Sequence, residues 1–149
     1  MSVASVWVLL VDDNPGDVEL VQSVLEERGT GVLVSVAQDG DEALARLCSG
    51  TSIEGTQLPR LIVLDWNLPR TSGREVLARV RADPRTRRIP VVVLTTSCSD
   101  RDVELAYDLG ASCYLVKPMR LAEFRAVLGL LREFWLRVAV LPGGTGPTS

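Results

Sequence analysis

The chain has 149 residues, 46% hydrophobic and 23% charged, which is the size and composition of one globular domain. Its formal net charge of -3 and its lack of a basic cluster exclude an electrostatic surface for nucleic acid. The longest apolar segment, 124–141, is interrupted by charged residues and cannot span a membrane, and no basic leader precedes it. We therefore expect a cytoplasmic protein whose partners are neither nucleic acid nor membrane.

Two residue types are unusually scarce. The sequence contains no histidine, which excludes histidine-based acid–base catalysis, histidine-ligated metals and catalytic triads. Lys117 is the single lysine among sixteen basic residues. It is either a chance survivor among the arginines or a position that needs a compact ammonium rather than a planar guanidinium.

Five short apolar runs alternate with helical patterns along the chain. The predicted strands are 6–11, 32–37, 61–64, 91–94 and 112–116. The predicted helices are 17–28, 41–48, one that opens at Ser72, 99–110 and a long one at 121–138. Apolar runs without polar alternation are typical of parallel strands that are covered on both faces. The pattern predicts a doubly wound α/β domain over residues 1–140, with a flexible tail at 141–149.

Polar residues stand directly after four of the five predicted strands. They are Asp12 and Asp13, Asp65, Thr95 and Thr96, and Lys117 with Pro118. Each could be an ordinary turn or helix cap by itself. The carboxyl ends of parallel strands meet at one edge of the sheet, however, and ligands bind there in this class of fold. The set therefore predicts one functional site.

The chemistry of the site follows from its charges. Carboxylates about 5 Å apart repel each other by roughly 3 kcal/mol per pair at an effective dielectric constant near 20, so the cluster needs a cation, protons or Lys117. Oxygen ligands without histidine or cysteine select Mg²⁺ or Mn²⁺. A hydroxyl and an ammonium group nearby can hold a phosphoryl group, and a carboxylate is the one plausible nucleophile. We expect Asp65 to bind the metal and to accept a phosphoryl group.

These motifs identify a family. VDD, LDWNLP, VVVLTTS and YLVKP resemble the receiver domain of bacterial two-component response regulators. NPGDVELVQ, DLGASCYLVKP and EFWLRVAVLP look like the single-domain regulators that are paired with bacteriophytochrome histidine kinases. The resemblance implies three layers, a five-stranded sheet of flavodoxin-like order 2-1-3-4-5, phosphorylation by such a kinase, and output through protein contacts rather than turnover of a separate substrate.

The resemblance also assigns roles within the site. Asp65 would be the phospho-acceptor, Asp13 a direct metal ligand, and Asp12 a ligand through water. The main-chain carbonyl of Asn67 would complete the metal site. In the same way the resemblance implies Thr95 as the switch hydroxyl, Lys117 as the phosphoryl ligand, Tyr114 as the aromatic switch and Pro118 as a cis proline that fixes the loop.

Three alternatives differ from this interpretation in testable ways. A flavodoxin-like cofactor protein would need a phosphate-binding loop after the first strand, where two carboxylates stand instead. A haloacid-dehalogenase-like phosphatase would need DxDx[TV], but Trp66, Asn67 and Leu68 follow Asp65. A receiver that binds partners without phosphorylation would be expected to lack an acid, the hydroxyl or the lysine, and the sequence has all of them.

The fifth helix carries an apolar stripe of helical period that extends beyond the length of a short sheet. The residues predicted for a homodimer interface are Phe124, Leu128, Leu131, Phe134, Trp135 and Val138, flanked by Arg132 and Arg137. Exposed aromatic residues are common in interfaces and unusual on monomers. The alternative is that the end of the helix folds back onto its own domain.

Overall fold

The computed structural model describes residues 6–49 and 58–142, and all but the first two residues of the tail expected at 141–149 lie outside these ranges. Five parallel strands form one sheet of order β2-β1-β3-β4-β5, which confirms the predicted fold. The strands are β1 (Val6–Val11), β2 (Val32–Ala37), β3 (Leu61–Leu64), β4 (Val91–Thr95) and β5 (Cys113–Val116). The helices are α1 (Pro15–Leu25), α2 (Gly40–Ser49), α3 (Gly73–Ala82), α4 (Asp100–Asp108) and α5 (Leu121–Glu133).

Two cores, one on each face of the sheet, produce the three layers. Successive residues of β1 point to opposite faces, so Val8 and Leu10 pack with α1 and α5, whereas Leu9 and Val11 pack with α2, α3 and α4. All four side chains are at most 1% exposed. Burial on both faces explains why the strands are apolar throughout.

Three of the helices that follow the strands, α1, α3 and α4, begin with a side-chain cap. Asn14 Oδ1 accepts a hydrogen bond from the Asp17 amide at 3.0 Å, and Pro15 takes the first helical position. Ser72 caps α3 through the Glu75 amide, and Ser99 caps α4 in the same way. These caps hold the loops after β1, β3 and β4 at one edge of the sheet.

Helix α1 ends at Leu25, three residues earlier than the apolar pattern predicts. The Thr30 hydroxyl donates to the Leu25 carbonyl at 3.0 Å, and the Glu26 carboxylate accepts from the Val34 amide of β2 at 2.7 Å. Thr30 thus satisfies a carbonyl that a further helical turn would have used, and Glu26 ties the end of the helix to β2. Gly29, with φ +88°, then reverses the chain toward β2.

The predicted fifth helix changes form after Glu133. A π-helical turn, Phe134–Val138, follows α5, and the Ala139 amide donates to the Phe134 carbonyl at 2.7 Å. Trp135 lies partly buried against the α1–α5 core, whereas Phe134 and Val138 are 53% and 69% exposed. The turn therefore separates an inward aromatic ring from outward apolar side chains.

Half of the predicted dimer interface belongs to the monomer's own core. Phe124, Leu128 and Leu131 are at most 5% exposed because α5 packs against α1 and the sheet. Their assignment to a dimer surface is wrong, and only the outward residues of the stripe stay available.

Within the described ranges, no helix has the length and apolar character needed to cross a membrane.

Candidate metal and phosphoryl site

Main-chain hydrogen bonds fix the residues that follow the strands. The Asp12 amide donates to the Ala37 carbonyl at the end of β2, and the Asp65 amide donates to the Val11 carbonyl at the end of β1. The Lys117 amide donates to the Thr95 carbonyl at 2.7 Å. The ladder of the sheet thus continues into the site and brings its predicted residues to one edge.

Asp12, Asp13 and Asp65 form the predicted carboxylate cluster. Each offers an oxygen atom, and the three oxygens lie within 4.8 Å of one another. Asp12 is 1% exposed and Asp65 8% exposed, whereas Asp13 faces solvent. Main-chain amides orient the buried pair: Asn14 donates to Asp12 Oδ1 at 2.9 Å, and Asn67 donates to Asp65 Oδ1 at 3.2 Å. This all-oxygen donor set, open on the Asp13 side, fits a hard divalent cation.

Lys117 is buried and lies at the centre of the negative charge. Its Nζ donates to Asp12 Oδ2 at 2.7 Å, to Asp17 Oδ2 at 2.8 Å and to Asp65 Oδ2 at 3.0 Å. An ammonium group has three donors, and these three carboxylates use all of them. The lone lysine of the sequence is therefore a point charge in a site that a planar guanidinium does not match.

Asp17 is the site residue that the sequence analysis missed. In the sequence it looks like an ordinary first-turn acid of α1, which the helix dipole favours. The signal that could have identified it is its position: the first turn of α1 starts at the same edge of the sheet as Asp12 and Lys117.

Burial and pairing shift two pKa values in the cluster. Burial raises the pKa of Asp12, although the hydrogen bond from Lys117 and that from the Asn14 amide act against this shift. Burial alone would lower the pKa of Lys117, but its bonds to Asp12 and Asp17 and the charges of Asp12 and Asp65 raise it above the usual value. Lys117 is therefore an ammonium at any physiological pH.

Thr95 ends β4 with a buried hydroxyl. The residue is 0% exposed, and among the described residues its Oγ1 has no hydrogen-bond partner. A buried hydroxyl without a partner is costly and calls for an explanation. Thr96, by contrast, is exposed. Thr95 is thus the threonine whose hydroxyl is free to donate to a ligand.

Tyr114 connects β5 to the loop that follows Thr95. Its hydroxyl donates to the Ser97 carbonyl at 2.8 Å, and its amide donates to the Tyr107 hydroxyl on α4 at 3.1 Å. Ser97 in turn donates to Asp102, also on α4. Burial raises the pKa of Tyr114, so the ring acts as a neutral hydrogen-bond donor. Tyr114 therefore contacts the loop and helix beside the site rather than the carboxylates themselves.

The prediction of a cis peptide bond at Pro118 is wrong. The described residues contain no cis peptide bond, so the Lys117–Pro118 bond is trans. Trans is the lower-energy isomer by about 0.5–1 kcal/mol for a bond that precedes proline. Lys117 reaches its three carboxylates from the trans bond, so these contacts do not require cis.

Comparisons with known proteins agree with this site. The profile of the response regulator receiver domain matches residues 8–129. The response regulator Rcp1 of Synechocystis sp. is 41% identical over 135 residues, which cover 91% of this chain and 92% of Rcp1. The chain belongs to the response regulator receiver domain family, in which phosphorylation on an aspartate is typical.

Solved structures place it more narrowly within that family. The phosphorylated cyanobacterial phytochrome response regulator RcpA is 40% identical, with a TM-score of 0.88 over 94% of this chain and 100% of RcpA. The Mn²⁺-bound form of Rcp1 is also 40% identical, with a TM-score of 0.85 over 92% of this chain and 99% of that one. The chain is thus similar over nearly its whole length to regulators of phytochrome signalling.

Proposed function

We propose that Asp65 accepts a phosphoryl group from the phosphohistidine of a histidine kinase, with Mg²⁺ or Mn²⁺ as cofactor. The observation that carries this proposal is the grouping of Asp12, Asp13 and Asp65 around one another with Lys117 bound among them. Asp12, Asp13 and Asp65 would hold the cation, together with the main-chain carbonyl of Asn67.

The residues of the site have different roles in phosphoryl transfer. A carboxylate oxygen of Asp65 attacks phosphorus, the P–N bond breaks, and its electron pair returns to the imidazole nitrogen of the donor. Lys117 offers its ammonium to a phosphoryl oxygen, and the unpartnered Thr95 hydroxyl offers a second donor. The bound cation would neutralise charge on the phosphoryl oxygens. Asp65 keeps the group as an acyl phosphate, so the chain is a phospho-acceptor and turns over no separate substrate.

We infer that the donor is a phytochrome-type histidine kinase. The similarity to Rcp1 and to the phytochrome response regulator RcpA supports this partner, because it extends over more than nine-tenths of each chain. The three cysteines are free thiols, which suits a reducing cytoplasm. The signal would then leave through protein contacts.

Phosphotransfer profiling tests the choice of kinase. Purified histidine kinases of several sensor classes, each labelled on histidine, are mixed with the protein for short times in Mg²⁺. We expect the phytochrome-type kinase to transfer its label at least about tenfold faster than the others, and Asp65→Asn to receive none. Equal transfer from all kinases, or preference for a different class, would contradict the assignment.

We also propose that two copies associate through the end of α5. Leu130, Phe134, Val138 and Val140 are 53–96% exposed, and the first three recur every four residues along one side. An apolar patch of this kind is unusual on a monomer, and a second copy would cover it with its own identical patch. Glu133 and Arg137, which pair with each other at 3.5 Å, would lie at the rim.

A further inference from the structure

We propose that Asp17 is a positioning residue that competes with the phosphoryl group for Lys117 and so opposes phosphorylation of Asp65. The inference rests on the proposed function, because it assumes that Lys117 binds a phosphoryl oxygen.

The contact that suggests this role is the 2.8 Å hydrogen bond from Lys117 Nζ to Asp17 Oδ2. With Asp12 and Asp65 on its other two donors, the ammonium has no donor left for a new acceptor. A phosphoryl group on Asp65 can take over the one donor that Asp65 holds, but a second bond from Lys117 to it requires Asp12 or Asp17 to release the ammonium group.

Burial decides which carboxylate releases Lys117. The side chain of Asp12 is 1% exposed, and its other oxygen is held by the Asn14 amide. Asp65 carries the phosphoryl group itself. The side chain of Asp17 is 26% exposed, so water can replace the lysine there at the lowest cost. Asp17 is thus the partner that releases Lys117 more easily.

Charge acts in the same direction as hydrogen bonding. A phosphoryl group brings up to about two negative charges to Asp65, and the Asp17 carboxylate, which shares Lys117 with Asp65, repels them. Helix α1 fixes this arrangement, because the Asn14 cap binds the Asp17 amide and places its side chain in the first turn. Removing the charge of Asp17 should therefore favour the phosphorylated form. If Asp17 only supported the structure of the site, its replacement would disfavour that form.

Beryllofluoride, a phosphoryl mimic made from beryllium chloride and sodium fluoride, tests this at saturating Mg²⁺. Binding is followed by tryptophan fluorescence, since Trp66 is buried directly beside Asp65. We expect Asp17→Asn to bind beryllofluoride roughly threefold to fivefold more tightly than wild type, the effect of removing one partly exposed charged partner. Glu19→Gln removes a charge from the exposed side of the same helix and should stay within about twofold of wild type.

The outcomes separate the two proposals. If wild type binds no beryllofluoride in Mg²⁺, the proposed function fails and this inference fails with it. Thermal denaturation first shows that Asp17→Asn is folded. If wild type binds beryllofluoride and this variant binds it equally or more weakly, the inference alone is overturned. Asp17→Ser, which also lacks the charge and suits a helix start, is measured beside it and must shift in the same direction.

Discussion

Lys117 is the single lysine in the chain, and its ammonium group lies among three carboxylates on α1 and after β1 and β3. The acceptors approach from three directions, which suits a tetrahedral donor and not a planar one. The scarcity of lysine in the sequence predicted a special role, and the geometry gives the reason.

Lys117→Arg should damage the site although it keeps the charge. A guanidinium cannot donate to three converging carboxylates from a buried position, and it is larger than the space that Lys117 fills. We expect the initial rate of phosphorylation by acetyl phosphate to fall at least about tenfold. Arg120→Lys, an exchange between the same two residue types at an exposed position, is the matched control. A Lys117→Arg protein that is phosphorylated at the wild-type rate would refute this role.

Asp12→Asn should change the way in which stability depends on pH. Burial raises the pKa of Asp12, so the folded state binds its proton more tightly than the unfolded chain does, and stability from this group falls as pH rises above about 3.8. The asparagine avoids that penalty but gives up the ion pair with Lys117. We therefore expect the free energy of unfolding of Asp12→Asn, relative to that of wild type, to increase as the pH rises from mild acid to pH 7.

The pH dependence distinguishes this cause from a general effect of substitution. The difference in stability between Asp12→Asn and wild type should rise with pH, because only wild type must keep a buried carboxylate charged at the higher pH. Thermal denaturation in mild acid and at pH 7 measures this difference, with Glu104→Gln, at an exposed position of α4, as the control that also loses one negative charge. A difference that does not change with pH would contradict the prediction.

Single residues were predictable where their chemistry is distinctive. The cluster of Asp12, Asp13 and Asp65 was predicted because the carboxyl ends of parallel strands must meet. Asp17 was not, since a first-turn acid has an adequate local explanation in the helix dipole. Only its distance to Lys117 in the folded chain reveals the second role.

At the scale of elements, α3 begins under the loop that carries the acceptor. A Cβ atom on Gly73 would lie 2.3 Å from the Asp65 carbonyl and 2.8 Å from Trp66 Cα, both of them backbone atoms. The Gly73 amide also donates to the Trp66 carbonyl at 3.1 Å. Helix and acceptor loop can approach this closely only with glycine at the first position of α3.

Gly73→Ala should therefore displace the acceptor loop. We expect it to lower the free energy of unfolding by about 2 kcal/mol and to reduce phosphorylation by acetyl phosphate, because the loop must move to relieve the overlap. Gly129→Ala in α5 is the matched control: its Cβ meets nothing within 4 Å, so it should stabilise the protein by about 0.5–1 kcal/mol. Chemical denaturation measures both. Equal effects of the two changes would show that the close approach is unimportant.

Elements were predictable from sequence to different extents. The first three strands have the predicted bounds, because buried parallel strands are marked by uninterrupted apolar runs. The end of α1 was missed since Thr30 binds the Leu25 carbonyl from outside the helix and Glu26 binds the Val34 amide of β2. The π-helical turn at Phe134–Val138 was also missed, because one extra residue per turn barely changes an apolar stripe.

At the scale of the whole molecule, the proposed dimer contact is the exposed apolar surface of Leu130, Phe134 and Val138 at the end of α5 and in the π-helical turn. We expect the full chain to run as a dimer at micromolar concentration in light scattering, and Phe134→Glu to run as a monomer because it would place a charge in the proposed apolar contact. Leu121→Glu, an exposed apolar residue at the other end of α5, is the control and should remain dimeric. A monomeric wild type, with and without phosphorylation, would contradict the proposal.

The most direct test of the account is the mass of the intact protein after incubation with acetyl phosphate. The arrangement of Asp12, Asp13, Asp65 and Lys117 predicts that wild type gains one acid-stable, base-labile phosphoryl group when Mg²⁺ is present and none when it is chelated. Asp65→Asn, whose amide is a poor nucleophile, should gain none under either condition. A labile phosphoryl group on Asp65→Asn, or one on wild type without any divalent cation, would contradict the account.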